Sequence, residues 1–295
     1  MMKQLRVLSV MAHQDDFEFE AAGLFLRLRQ HYGSNVALKI VTTSCGGSGH
    51  HEMSFEETVR RREAEAQASA AIVGAEYENL RQLDGTHIPA QVFCDRNMLG
   101  GLWNCIRDYA PDYVIAPPVV TNPLAGIHID HQHTAEALRY IAYQLGVPNA
   151  YPTMNAPRQQ RFRVPVFLVC LDAYSQENIW DFSVNVDSVK EEKIQMLRCH
   201  ASQIEEWLPF VDSLNDPDGA IYQRGPNGEN IRWSEERWRA ATEQRFHQRN
   251  RLCGFDDSIA REYFAITKWG TSSNNAGLTV KESLALDFPF SDWRQ

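Results

Sequence analysis

The chain has no Cys-x-x-Cys pair, no long apolar run and no surplus of basic residues. Its six cysteines (Cys45, Cys94, Cys105, Cys170, Cys199 and Cys253) are scattered over 295 residues. That pattern excludes a thiolate zinc knuckle and argues against a dense disulfide framework, so reduced, structural thiols are expected. No uninterrupted apolar stretch reaches the ~20 residues that span a bilayer. The first apolar run is short and ends abruptly in a polar motif, unlike a signal peptide. A soluble, cytoplasmic protein with no membrane span is the expectation. Lys+Arg 29 against Asp+Glu 38 give a net charge of -9, a field that repels phosphate-rich polymers, so no nucleic-acid partner is expected. A G-x-G-x-x-G fingerprint is also missing, because Cys45-Gly46-Gly47-Ser48-Gly49 lacks its spacing. There is no internal repeat.

What is present is a chain 43% hydrophobic and long enough to bury a full core. Val7 to Met11 reads as a buried parallel strand. Ala21, Leu24, Phe25 and Leu28 fall at helical spacing before Gly33, and Val36 to Thr43 reads as a second strand, completing a βαβ unit. Ser54-Phe55-Glu56-Glu57 has the pattern of a capping box and opens a helix that Gly74 stops, with Ala64, Ala68, Ala71 and Ile72 as its expected apolar face. Further helices are expected over Met98 to Tyr109, His131 to Gln144, Asp187 to Trp207 and Ser234 to Asn250, and strands over Asp112 to Ala116 and Val166 to Leu171. Pro148 to Pro165 reads as a surface loop, and Ala220 to Arg224 lies between two strong turn signals.

Two polar clusters each follow a predicted strand. His13-Gln14-Asp15-Asp16 stands behind the first, and His128-Ile129-Asp130-His131 comes after the Asp112 to Ala116 strand and a loop. Ligands of open parallel sheets bind outside the carboxyl ends of strands, where distant segments converge. A catalytic zinc takes three protein ligands and keeps a place for water, and His13, Asp16 and His131 form such a set. Asp15 is then placed as general base, His128 as stabiliser of an oxyanion, and Asp130 as the carboxylate that orients a histidine. One His-x-x-Asp alone carries little weight, and Asp130 alone would pass for a helix N-cap and His133 for a solvent-facing residue. The case rests on two clusters in equivalent positions.

These residues resemble the PIG-L/LmbE family of zinc-dependent N-acetylglucosaminyl deacetylases. Its motifs A-H-P-D-D and H-x-D-H-x-x-T stand here as Ala12-His13-Gln14-Asp15-Asp16 and His128-Ile129-Asp130-His131-Gln132-His133-Thr134. The match continues through Arg60-Arg61-Arg62-Glu63, Leu83-Asp84-Gly85 and His200-Ala201-Ser202-Gln203. The resemblance implies an α/β, Rossmann-like three-layer fold with a mostly parallel sheet. It also implies zinc on His13, Asp16 and His131, with Asp15 as general base toward zinc-bound water and His128 as electrophile. Arg60 and Asp84 are implied to bind substrate. Histidine and carboxylate ligands suit Fe2+, Co2+ or Mn2+ as well.

Gln14, Phe17, Ala22 and Ile129 depart from the family pattern but remove no proposed ligand, base or electrophile. Phe17 and Phe19 are expected to make the pocket more apolar. Residues 1–210 are read as the deacetylase core and 211–295 as a C-terminal extension packed on it, a candidate cap over the site or homo-oligomer interface. Core packing is the favoured reading of Trp207, Trp233 and Trp238, with sugar stacking the alternative. The expected activity is removal of an N-acetyl group from an N-acetylglucosamine-containing small molecule or glycoconjugate. One alternative is an amidase of another N-acyl or thiol-conjugate substrate on the same metal site; another is a non-catalytic sugar- or nucleotide-binding protein.

Overall fold

The structure, a computed structural model, describes residues 4–155, 161–215, 225–227, 234–270 and 280–295. Strand β1 (Leu5–Met11) is followed by two helices, α1 (Asp16–Glu20) and α2 (Ala22–Tyr32), and then by β2 (Val36–Thr42). Next come α3 (Phe55–Val73), β3 (Glu76–Asn79), α4 (Arg96–Tyr109), β4 (Tyr113–Ala116), α5 (Ile129–Gln144), β5 (Val166–Cys170) and β6 (Phe182–Asn185). Beyond these lie α6 (Lys190–Arg198), a wide π turn (Ser202–Trp207) that runs into α7 (Leu208–Ser213), α8 (Glu235–Leu252), β7 (Arg261–Ile266), α9 (Val280–Asp287) and β8 (Ser291–Trp293).

The strands form one sheet in the order β3-β2-β1-β4-β5-β7-β6-β8. The first five run parallel, and β7, β6 and β8 add on antiparallel. This is the expected α/β architecture, a mostly parallel sheet with helices on both sides. The alternation of β1 feeds both faces. Leu5, Val7 and Met11 join the core beneath α2 and α3, whereas Leu8 and Val10 join the core beneath α4 and α5. Strand order reverses between β1 and β4, so the loops leaving their carboxyl ends open toward one another.

Side-chain N-caps open α3, α4, α5 and α8. Ser54 and Glu57 form a capping box at α3, and Gly74 ends that helix in the left-handed region at φ 66°. The expected apolar faces of α2 (Leu24, Phe25, Leu28) and α5 (Ala135, Leu138, Ile141, Ala142) are buried. For α3 the face is the opposite one. Ala64, Ala68, Ala71 and Ile72 are exposed, and the helix buries Thr58, Arg62, Ala66, Ser69, Ala70 and Val73. Its inner face is partly polar because Arg62 and Ser69 find partners inside, Asp15 and Glu18 respectively, so hydrophobic periodicity marks the wrong side. The helical pattern from Asp187 to Trp207 is broken at Cys199 and His200, between α6 and the π turn. Trp233, Ala220 to Arg224 and the stretch 271–279 lie outside the described residues.

Candidate metal centre and its cavity

The first cluster leaves β1 at Met11 and starts α1 at Asp16; the second caps and opens α5. His128, not Asp130, is the N-cap of α5, its Nδ1 accepting from the Asp130 N–H at 3.2 Å. Ile129 is therefore the first helical residue, a position that also suits proline, which explains why this departure from the family pattern is tolerated. Gln14 is buried and donates to the Ser44 carbonyl and to Asn79 Oδ1, tying the first loop to the ends of β2 and β3.

Three ligand side chains converge between these loops. His13 Nδ1 lies 3.1 Å from His131 Nε2, His131 Nε2 lies 3.3 Å from Asp16 Oδ1, and His13 Nδ1 lies 3.7 Å from Asp16 Oδ2. Four ligands at ~2.0–2.1 Å around a tetrahedral zinc sit about 3.3 Å from one another, so the set has the size of a cation's coordination shell. The outward nitrogens are engaged as a metal site requires. His13 Nε2 donates to Asp130 Oδ2 at 2.9 Å, and His131 Nδ1 lies 2.9 Å from the Tyr174 hydroxyl. With those nitrogens protonated, both inward lone pairs face Asp16. Asp130 is itself held by the Val92 N–H at 2.7 Å. A second trio, His13, His128 and Asp130, also lies within ligand range. It would have to use the His13 nitrogen that bonds Asp130, so the first set is the better donor arrangement.

The electrostatics point the same way. Burial opposes a charge on His13, but hydrogen bonds to Asp130 and Asp16 outweigh it and raise its pKa to about 9. Burial likewise opposes, and Asp16 outweighs, in raising His131, while the two histidines hold Asp16 well below the usual carboxylate range. Two imidazoles between two carboxylates therefore hold positive charge, as protons or as a cation. His128 differs. Partial burial and the nearby His13 lower its pKa, keeping it neutral with its proton on Nε2.

Asp15 is buried beside this cluster, and Arg62 Nη2 donates to its Oδ1 at 2.8 Å. Its other oxygen accepts no hydrogen bond from the described residues. The other hand of Arg62, Nη1, donates to the Gly46 carbonyl. A Cβ on Gly46 or Gly49 would stand 2.5 Å from that Nη1, and Gly46 has φ +68°. The loop that superficially resembles a phosphate binder is thus the seat of an arginine.

The cluster opens into a cavity of about 720 Å³, within the range of small-molecule sites. Asp15, Asp16, His13, His128, Asp130 and His131 all line it. So do Phe19, Trp207, Leu208 and Val211, which give it an apolar wall, and Arg245 and Arg249 of α8. Phe17 is fully buried against Phe25 and does not reach the cavity, and Trp238 is core, whereas Trp207 is part of the cavity wall. Arg60 and Asp84 stand elsewhere. Arg60 is exposed beside Glu52 and Glu57 in another cleft, and Asp84 pins the turn before α4 by accepting from Thr86 and Asn97. The arginine of the Arg60-Arg61-Arg62 run that reaches the cluster is Arg62. His133 is not solvent-facing but bonds the Val92 carbonyl, and His200 is fully buried 3.3 Å from Glu18. Tyr174, Arg245 and Arg249 carry no motif, and only the fold brings them here.

Residues 8–142 match the family model described as PIG-L, GlcNAc-PI de-N-acetylase, so the resemblance carried by the two motifs holds over the segment that contains both. No curated protein matches by sequence. Among solved structures, the N,N'-diacetylchitobiose deacetylase from Pyrococcus horikoshii is similar at 18% identity and TM-score 0.59, over 93% of this chain and 87% of that one. A 4-carboxy-2-hydroxymuconate hydratase from Pseudomonas putida is similar at 19% identity and TM-score 0.55, over 93% and 100%. The zinc-inhibited form of a teicoplanin deacetylase is similar at 13% identity and TM-score 0.51, over 89% and 98%. At these identities the likeness is one of fold. Two deacetylases and a hydratase on one fold mean that the reaction has to be argued from the site.

Proposed function

We propose that this chain is a metal-dependent hydrolase that removes the N-acetyl group from an N-acetylglucosamine-containing small molecule or glycoconjugate. The observation that carries the reading is the convergence of His13 Nδ1, Asp16 and His131 Nε2 at 3.1 to 3.7 Å, with both outward imidazole nitrogens already bonded. Zinc is the leading candidate for the cation, and His13, Asp16 and His131 would hold it. A divalent cation there would supply Lewis acidity toward water and the amide carbonyl.

The chain's own groups divide the remaining work. Asp15, anchored through Oδ1 by Arg62, takes the proton of the attacking water and returns it to the departing amine nitrogen. His128, with Nδ1 committed to the Asp130 N–H, presents Nε2–H to the oxygen that becomes negative. Asp130, bonded to His13 Nε2, would hold His13 in the tautomer that leaves Nδ1 available as a ligand. The apolar wall at Trp207 and Leu208 excludes water and offers a face for a sugar ring or an acyl chain. A longer acyl group would make the protein an amidase of another N-acyl substrate, and the acid released separates the two.

The test is acetate release from N-acetylglucosamine, its phosphates, its inositol conjugates and chitobiose by protein carrying one equivalent of zinc, with and without chelator. Asp15→Asn is expected to retain zinc by elemental analysis and lose ~10²–10⁴-fold in turnover. Undiminished turnover in that variant would remove Asp15 as the base, and silence across the panel with zinc in place would remove the N-acetylglucosamine reading.

A further inference from the structure

The charges lining the cavity pair off, with one exception. Asp15 is bonded to Arg62, Asp130 to His13, Asp16 lies against His131, and Glu20 is salt-bridged to Arg249. Arg245 alone remains. It stands one helical turn before Arg249 on α8, on the same face, and its guanidinium lies 4.3 Å from the centre of the Phe19 ring. Among the described residues it makes no hydrogen bond or ion pair. The residue is solvent-accessible, while its guanidinium lies deep in the cavity, where burial and the neighbouring Arg249 lower its pKa and Glu20 opposes them, so an incoming anion would supply the charge partner it lacks. A guanidinium stacked on an aromatic ring is held in orientation while its N–H edge stays available, an arrangement suited to a carboxylate or phosphate.

We infer that Arg245 binds an anionic group, carboxylate or phosphate, on the substrate of this cavity, making it a specificity-determining residue for acidic N-acyl sugars. The inference deepens the proposed function by taking the cavity as the substrate site. It also gives α8 a part in that site. The overall charge of -9 does not oppose it, because a lone cation a few ångströms from a small ligand outweighs a screened surface field.

The experiment is calorimetric titration of the full chain with N-acetylglucosamine, N-acetylglucosamine 6-phosphate and N-acetylmuramic acid, in wild type, R245Q and R245K. In the wild type at least one anionic probe is expected to bind about tenfold or more tightly than the neutral sugar, and which one distinguishes phosphate from carboxylate. R245Q is expected to shrink that ratio to about twofold or less, and R245K, with its charge but without its fork, to lie between. Were Arg245 only packing on Phe19, all ligands would weaken together and the ratio would stand. An anion held by the cation of the cluster would likewise keep its preference in R245Q. No anionic preference in the wild type, absent binding included, or a ratio unmoved in R245Q, overturns the inference. Acetate assayed on the same probes tests the deacetylase reading separately: a ratio that collapses in R245Q without any acetate release would retain the anion site and discard that reading.

Discussion

At His13 the two ring nitrogens face different partners, and that division is what makes the residue useful. Asp130 fixes one nitrogen as donor and leaves the other facing His131 and Asp16. The same contacts raise the folded pKa to about 9, against 6.5 for the free side chain. A raised pKa stabilises the fold fully below about 6.5, and the contribution fades as pH rises through about 9. Metal-stripped wild type should therefore lose stability over that window, by at most ~3 kcal/mol. Asp130→Asn should flatten the loss, which thermal unfolding of both proteins across the window would read. Parallel curves would show that Asp130 is not the charge partner of His13. Residue-scale chemistry was legible in the sequence where several ligand types sat at fixed spacing. Tyr174, which bonds the other imidazole, was not, because a tyrosine in a loop has no pattern of its own.

Among the elements, the π turn from Ser202 to Trp207 closes one side of the cavity, since Gln203 and Trp207 line it. Glu206 binds this turn to the rest, accepting from Arg61 at 2.6 Å and lying 2.8 Å from His50 Nε2. Burial opposes ionisation of Glu206, yet Arg61 and His50 outweigh it and lower its pKa. A lowered carboxylate pKa contributes stability that is complete above the ordinary value of 4.5 and is lost as pH falls through the lower folded value. Glu206→Gln should thus cost up to ~1 kcal/mol at neutral pH, Arg61 being partly exposed, and the gap from wild type should close on acidification below 4.5. A gap that widens in acid would contradict the assignment. The inner face of α3, carrying Arg62 and Ser69, was misread from periodicity for a related reason. Polar side chains whose partners lie on other elements look like surface until those elements are in place.

Across the whole molecule, β7 enters the sheet between β5 and β6, and its Glu262 crosses to the start of α2. There the fully buried carboxylate accepts from the Gly23 and Leu24 N–H groups at 2.8 and 2.7 Å, and from Lys193 Nζ at 2.6 Å. The approach is so close that a side chain on Gly23 would collide with Glu262 and Val186. Removing one member of a buried pair strands the other charge at a cost of ~3–5 kcal/mol, so Glu262→Ala should lower the melting temperature by on the order of 10 °C. Adding Lys193→Met should recover part of that loss but not all, because the α2 N–H groups still lack their acceptor. A Glu262→Ala protein melting like wild type would mean that Lys193 is not held dry. Neither β7 nor this pair was visible in the sequence, because Lys193 and Glu262 lie 69 residues apart and neither belongs to a motif.

By itself the amino-acid sequence determined the parallel strands β1, β2, β4 and β5 but not β3, the two motif-bearing loops and the residues His13, Asp15, Asp16, His128, Asp130 and His131 that line one cavity. Each was encoded locally, as an apolar run ending in a polar cluster or as a cap, and local encoding survives in one dimension. Tertiary structure alone decided that Arg62 rather than Arg60 reaches Asp15, that Tyr174 holds His131, and that α8 brings Arg245 and Arg249 to the cavity. Those roles depend on side chains meeting across elements far apart in the chain, and a guanidinium's function is set by the partner it finds or, at Arg245, by the partner that the described fold leaves it without.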